Sequence, residues 1–149
     1  MNDQLSSPQL EIQKIYLKDV SLEAPHTPAI FTEGWQPETS VQLNNASTQI
    51  GEDVYEAVLT LTVTTKVGEK TAYLVEVQQA GIFTIKGFSG EQLGQVLGAF
   101  CPNTLFPFAR EALSSLISKG GFPPLLLNPI NFDALYKQRL QAQQAKVEN

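Results

Sequence analysis

Residues 54–79, VYEAVLTLTVTTKVGEKTAYLVEVQQ, decide the fold. In the first half, Tyr55, Ala57, Leu59, Leu61 and Val63 alternate with Glu56, Val58, Thr60, Thr62 and Thr64. Side chains of a strand point to opposite faces in turn, so this pattern predicts a strand with one apolar side. VGEK then reads as a tight turn. Residues 71–79 alternate again, with Tyr73, Val75, Val77 and Gln79 on one face and Leu74, Glu76 and Gln78 on the other. Two such strands joined by a short turn make an antiparallel hairpin. A continuation of the second strand through Gly81 towards Ile85 fits the same pattern.

Upstream, residues 38–44 predict a short strand with Val41 and Leu43 on one side, and NNASTQIGED after it a long hairpin loop. Residues 12–23, IQKIYLKDVSLE, predict a further strand. Its alternation is imperfect: Ile15 and Leu17 share one face, Tyr16, Val20 and Leu22 the other, with a bulge expected near Lys18-Asp19. Between them lies APHTPAIFTEGWQP, a connection with three prolines that carries Phe31 and Trp35. These aromatics either pack on their own domain or line a groove that receives another chain.

Downstream the period changes to that of a helix. In SGEQLGQVLGAFC, Leu93, Val96, Leu97 and Phe100 form an apolar stripe, and Gly94, Gly98 and Cys101 a second stripe of small residues beside it. Each interior glycine costs a helix about 1 kcal/mol, so the pair predicts a close approach and a helix packed on two sides. Pro102 is expected to break or bend this helix. A second is expected from about Thr104, as its cap, to Lys119, with Leu105, Ala109, Ala112, Leu113, Leu116 and Ile117 as its apolar stripe and Gly120-Gly121 as its end. Asn131 is placed to cap a last helix bearing Phe132, Leu135, Tyr136 and Leu140. Strands first and helices later give an α+β domain with an antiparallel sheet, and 149 residues suit a single domain. The polar ends, about 1–10 and 142–149, are expected to be flexible tails.

Little here promises chemistry. The lone Cys101 would need a base to act as a nucleophile, and the only histidine, His26, sits in the Pro-rich connection. Cys101 is therefore expected to be buried and structural. One cysteine and one histidine do not make a zinc site, and no glycine-rich phosphate loop follows a βαβ unit, so no metal or cofactor is expected. Net charge is −5, with nine acids against two bases in residues 1–57. Such a balance argues against nucleic acid and suits a basic protein partner. There is no basic-then-apolar leader and no run long enough for a bilayer, so neither a secretory signal nor a membrane span is expected. The rival reading is a small α+β enzyme with a lid around Trp35.

The stretches IYLKDVSLEAP, WQP, DVYEAVLTLTVT, LVEVQQAGIF, LGAFCPNTLFPFARE and NFDAL make the chain resemble the SecB family of protein-export chaperones, from about Ile12 to Gln141. The resemblance implies a cytoplasmic homotetramer, a dimer of dimers, with a four-stranded antiparallel sheet and helices on one face. It implies no catalytic activity. Such a protein holds unfolded secretory precursors and delivers them to the motor ATPase SecA. Family positions for SecA docking match Asp19, Glu23, Leu74 and Glu76, and those that influence subunit association match Tyr73, Val75, Val77 and Gln79. The small stripe of Gly94, Gly98 and Cys101 is assigned to association too. For client binding the expected residues are Phe31, Trp35, Val41, Leu43, Phe132, Leu135, Tyr136 and Leu140. The tail AQQAKVEN carries a single acid, Glu148, whereas family tails that assist SecA are often longer and more acidic. A chaperone devoted to a toxin–antitoxin pair is the alternative within the same resemblance.

Overall fold

The computed structural model describes residues 7–148. Four strands, β1 (Gln9–Glu23), β2 (Pro37–Gly51), β3 (Val54–Val67) and β4 (Lys70–Lys86), form one antiparallel sheet in the order β1-β4-β3-β2. A 3-10 turn, Ala29–Thr32, lies in the β1–β2 connection. The helices are α1 (Glu91–Gln95), a π-helical turn (Val96–Phe100), α2 (Cys101–Lys119) and α3 (Phe132–Glu148). The polar ends carry more structure than expected: Gln9 and Leu10 open β1, and residues 142–148 extend α3. Residues 1–6 and 149 lie outside the described residues.

The central hairpin forms as its alternation dictates. Ala57, Leu59, Leu61 and Val63 of β3 and Tyr73, Val75 and Val77 of β4 are buried beneath α2, which contributes Leu105, Ala109, Leu113 and Ile117. Each such leucine or isoleucine adds roughly 1.5–3 kcal/mol by leaving water. Gly120 and Gly121 end α2, with Gly121 at φ 88° where only glycine is comfortable. Asn131 caps α3: its Oδ1 accepts from Ala134 N at 3.0 Å.

Three expectations are corrected. NNASTQIGED is not a loop. β2 runs to Gly51, and the turn is confined to Glu52-Asp53, with Asp53 at φ 59°. Pairing of Asn45–Gln49 with Tyr55–Leu59 supplies every ladder partner, and this overrides the weak strand preference of Asn and Ser. Second, β1 puts Ile15, Leu17, Val20 and Leu22 on one face, opposite the inward residues of β4, leaving only Tyr16 on the other. Third, Pro102 does not break the helix, and Thr104 is no cap.

The π turn is what lets the helix pass Pro102. Cys101 N donates to Val96 O, five residues back, so the coil widens where the proline ring would strike the preceding turn. Leu97 O is thereby left without a helical donor, because the residue five ahead of it is Pro102, which has no N–H. Asn45 Nδ2 of β2 supplies one at 3.2 Å. Thr104 lies inside the helix, donating its hydroxyl to Phe100 O at 2.9 Å, and Pro107 lies inside α2.

Candidate interaction surfaces

The sheet presents two faces of different chemistry. On the outer face, away from α2, register sets Glu23 opposite Leu74, Ser21 opposite Glu76 and Asp19 opposite Gln78. Thr64, Thr62 and Thr60 continue the same rows on β3. Thr62 Oγ1 donates to Glu76 Oε1 at 3.0 Å and holds that carboxylate in place. Gln42, Thr60, Thr62, Glu76 and Gln78 line a shallow polar depression here. The four residues expected to dock a partner thus share one flat surface.

A cluster that sequence reasoning missed adjoins it. Glu56 accepts hydrogen bonds from Tyr16 Oη and, at 2.9 and 3.0 Å, from Lys18 Nζ. Lys18 first, then Tyr16, holds the Glu56 carboxyl below its usual range, while burial and then the neighbouring acid push the Tyr16 hydroxyl up to about 12. Tyr16 reaches across β4 because the residue between is small: Tyr16 pairs with Ala80, which pairs with Val58. Only the cross-strand register could have revealed it.

The inner face carries an aromatic cluster at one end. Phe122, 4% exposed, lies 4.9 Å from Tyr73, 5.2 Å from Phe31 and 5.9 Å from Trp35 between ring centroids, with Trp35 stacked on it. Phe31 remains 51% and Trp35 38% exposed. Each ring therefore packs on its own domain by one side and leaves the other side exposed. The key residue, Phe122, was hidden in FPPLLLNP, where no periodicity marks it. From the Tyr73 row the inner edge of β2 runs past exposed Val41 and half-buried Leu43 to Asn45 beside the π turn. α3, which packs on the π turn, leaves Leu135 and Leu140 exposed.

Two expected client residues are differently employed. Phe132 is buried, its ring edge-on to Phe106 at 5.8 Å, and so belongs to the core. Tyr136 lies against the glycine stripe: a Cβ on Gly98 would come within 2.4 Å of its ring, and one on Gly94 within 2.4 Å of its hydroxyl. The close approach predicted from those glycines is made by α3 of the same chain. Tyr73, Val75, Val77 and Gln79 are likewise buried within the chain, so any influence they have on association is indirect.

The chemically suggestive residues stay apart in role. Cys101 is fully buried, and burial pushes its thiol up to about 12. His26 Nδ1 donates to Thr71 O at 3.0 Å on an exposed loop. Among the described residues no three His, Cys, Asp or Glu are grouped to hold a metal, and no helix is long and apolar enough to cross a membrane.

The family described as preprotein translocase subunit SecB matches residues 3–143. The protein-export protein SecB of Nitrosococcus oceani is 55% identical over 146 residues, covering 97% of this chain and 89% of the relative. That of Marinobacter nauticus is 52% identical over 143 residues, covering 96% and 87%. Among solved structures, the Mycobacterium tuberculosis Rv1957 SecB-like chaperone in complex with a ChAD peptide from the Rv1956 HigA1 antitoxin superposes with a TM-score of 0.68. That likeness is at 15% identity, covers 81% of this chain and 90% of the other, and speaks to the fold alone. A sheet of this order with helices on one face, and a sequence matched over nearly all its length, lead to one conclusion: the chain belongs to the SecB family.

Proposed function

We propose that the protein is an export chaperone of the holdase type, which keeps unfolded precursors competent for translocation and passes them to SecA. The observation that carries this reading is the half-open Phe31–Trp35 pair over Phe122, continuing into an uncovered apolar edge at Val41. Aromatic area of this kind binds extended apolar segments without any catalytic group, at roughly 25 cal/mol per Å² buried. Single contacts are weak, and several linked grooves in one assembly raise the effective concentration of a long client. Work in the cytoplasm, before translocation, follows from this role.

Delivery falls to the outer face. Asp19, Glu23 and Glu76 there offer a salt-sensitive contact to a basic surface of SecA, with Leu74 as its apolar neighbour. A homotetramer is supported by apolar residues that one chain leaves bare: Ile12, Leu17 and Val20 on the inner side of β1, and Phe100 and Phe108 in the helical layer, are all 39–51% exposed. The export reading is preferred to a toxin–antitoxin role because the export relatives are 52–55% identical, against 15% for the SecB-like chaperone bound to an antitoxin peptide. The test is whether the purified protein prevents aggregation of an unfolded precursor and binds SecA. Failure to suppress aggregation sinks the holdase reading, and failure to bind SecA sinks the delivery reading.

A further inference from the structure

β1 is the strand whose apolar residues do not keep a two-residue period. Leu10, Ile12, Ile15, Leu17, Val20 and Leu22 step by two, three, two, three and two. The register absorbs both odd steps. Ile12 pairs with Phe83 and Lys14 with Ile82, so Gln13 is extra; Leu17 pairs with Gln79 and Asp19 with Gln78, so Lys18 is extra. Each one-residue bulge resets the alternation, and all six apolar residues end on the helix side of the sheet.

The second bulge also decides where the acids point. With it, Asp19, Ser21 and Glu23 stand on the outer face beside Gln78, Glu76 and Leu74. With a regular ladder through Lys18, all three would turn inward and Val20 and Leu22 outward. The bulge is gripped from both sides. On the inner side Gln79, only 3% exposed, donates from Nε2 to Tyr16 O at 3.0 Å, giving a partner to a carbonyl beside the disrupted ladder. On the outer side the extra residue itself, Lys18, is anchored to Glu56, which also holds Tyr16. The grip therefore ties β1 to β4 and, past Ala80, to β3.

We propose that Gln79, Tyr16 and Glu56 are positioning residues for the partner face: by clamping the Lys18 bulge they turn Asp19 and Glu23 to the side of Leu74 and Glu76. This rests on the SecA reading of that face, but the geometry can be tested apart from it. It also gives Gln79 a route to influence assembly, since the strand it shapes is the sheet's edge.

The experiment uses thiol reporters in the full chain, Ser21→Cys or Leu22→Cys, labelled with a maleimide. The native Cys101 is buried and stays silent. In the unaltered background the Ser21→Cys thiol labels faster than the Leu22→Cys thiol. Gln79→Leu and Tyr16→Phe, which change no charge on the outer face, loosen the clamp and should shift that ratio several-fold towards Leu22→Cys, because drawing Lys18 into a regular ladder exchanges the faces. Deleting Lys18 in either variant sets Asp19 directly after Leu17 in a regular ladder and should return the ratio to that of the unaltered background. A ratio unchanged in the folded Gln79→Leu and Tyr16→Phe variants overturns the proposal, whatever happens to SecA binding. SecA affinity, measured by calorimetry at low salt, is expected to fall with the ratio. If the ratio shifts while SecA affinity stays, the bulge assignment stands and the docking reading falls.

Discussion

The two faces of the sheet come from the same strands, yet they do opposite work. The inner face of β3 and β4 is closed by α2, and its residues from Ala57 to Thr65 and from Tyr73 to Ile85 are buried. The outer face, one residue out of phase, is a threonine ladder with Glu76, Gln78 and Leu74 set in it. Alternation thus lays a folding surface and a docking surface back to back, about one side-chain length from a shared backbone. A change on one face should leave the other chemically intact.

The largest effect is expected from Leu113→Ala, which empties a fully buried site beneath the helical layer. It should cost about 2–5 kcal/mol in urea unfolding, whereas Thr60→Ala on the outer face should cost about 1 kcal/mol or less. Gly98→Ala comes next. The new methyl would lie on the Tyr136 ring, so α3 must shift, at about 1–3 kcal/mol; Tyr136→Ala in the same chain should recover part of the loss. Recovery read by thermal melting would confirm that the glycine serves this contact.

A crossed pair of variants probes binding. Glu76→Lys should weaken SecA binding about tenfold at low salt and leave aggregation suppression unchanged. Trp35→Ala should do the reverse, weakening client holding several-fold, in the manner of a half-buried aromatic anchor. If either variant damages both activities equally, the two faces are not independent. The smallest effect concerns Glu56. Its folded-state pKa lies below the ordinary glutamate value of 4.5, so its stabilisation is present above that value and fades as pH falls through the lower, folded one. Stability of Glu56→Gln should therefore differ from that of the unaltered chain at pH 7 and converge with it in acid, followed by denaturant titration.

The sequence was most legible where a single period ran unbroken. Tyr55 to Val77 sorted themselves into faces, and Leu105, Ala109, Leu113 and Ile117 into a stripe, because burial on one side leaves a repeating mark. β1 and β2 were less legible for different reasons. β1's mark is interrupted twice by bulges. β2's outer half, NNASTQIG, is polar throughout and becomes a strand only because β3 extends alongside it. Of the candidate surfaces, Trp35, Phe31, Glu76 and Leu74 stood out as apolar or acidic residues without a local explanation. Phe122, Glu56 and the true partner of Gly94 and Gly98 did not, since each acquires its role from a residue far along the chain.

Taken by itself, then, the chain determined its hairpin, its helical stripes, the buried state of Cys101 and the phase of Leu74 and Glu76. These depend on periods of two or about 3.6 residues, which neighbours in sequence impose on one another. Tertiary structure alone decided that Pro102 passes inside a widened helical turn with Asn45 serving the freed carbonyl of Leu97. It alone set Tyr136 into the glycine stripe, whereas the bulge that turns Asp19 and Glu23 outward lies at Lys18, where the broken alternation of β1 placed it. Each of those is the satisfaction of a backbone group or a gap by a distant residue, and no local pattern records which distant residue will come.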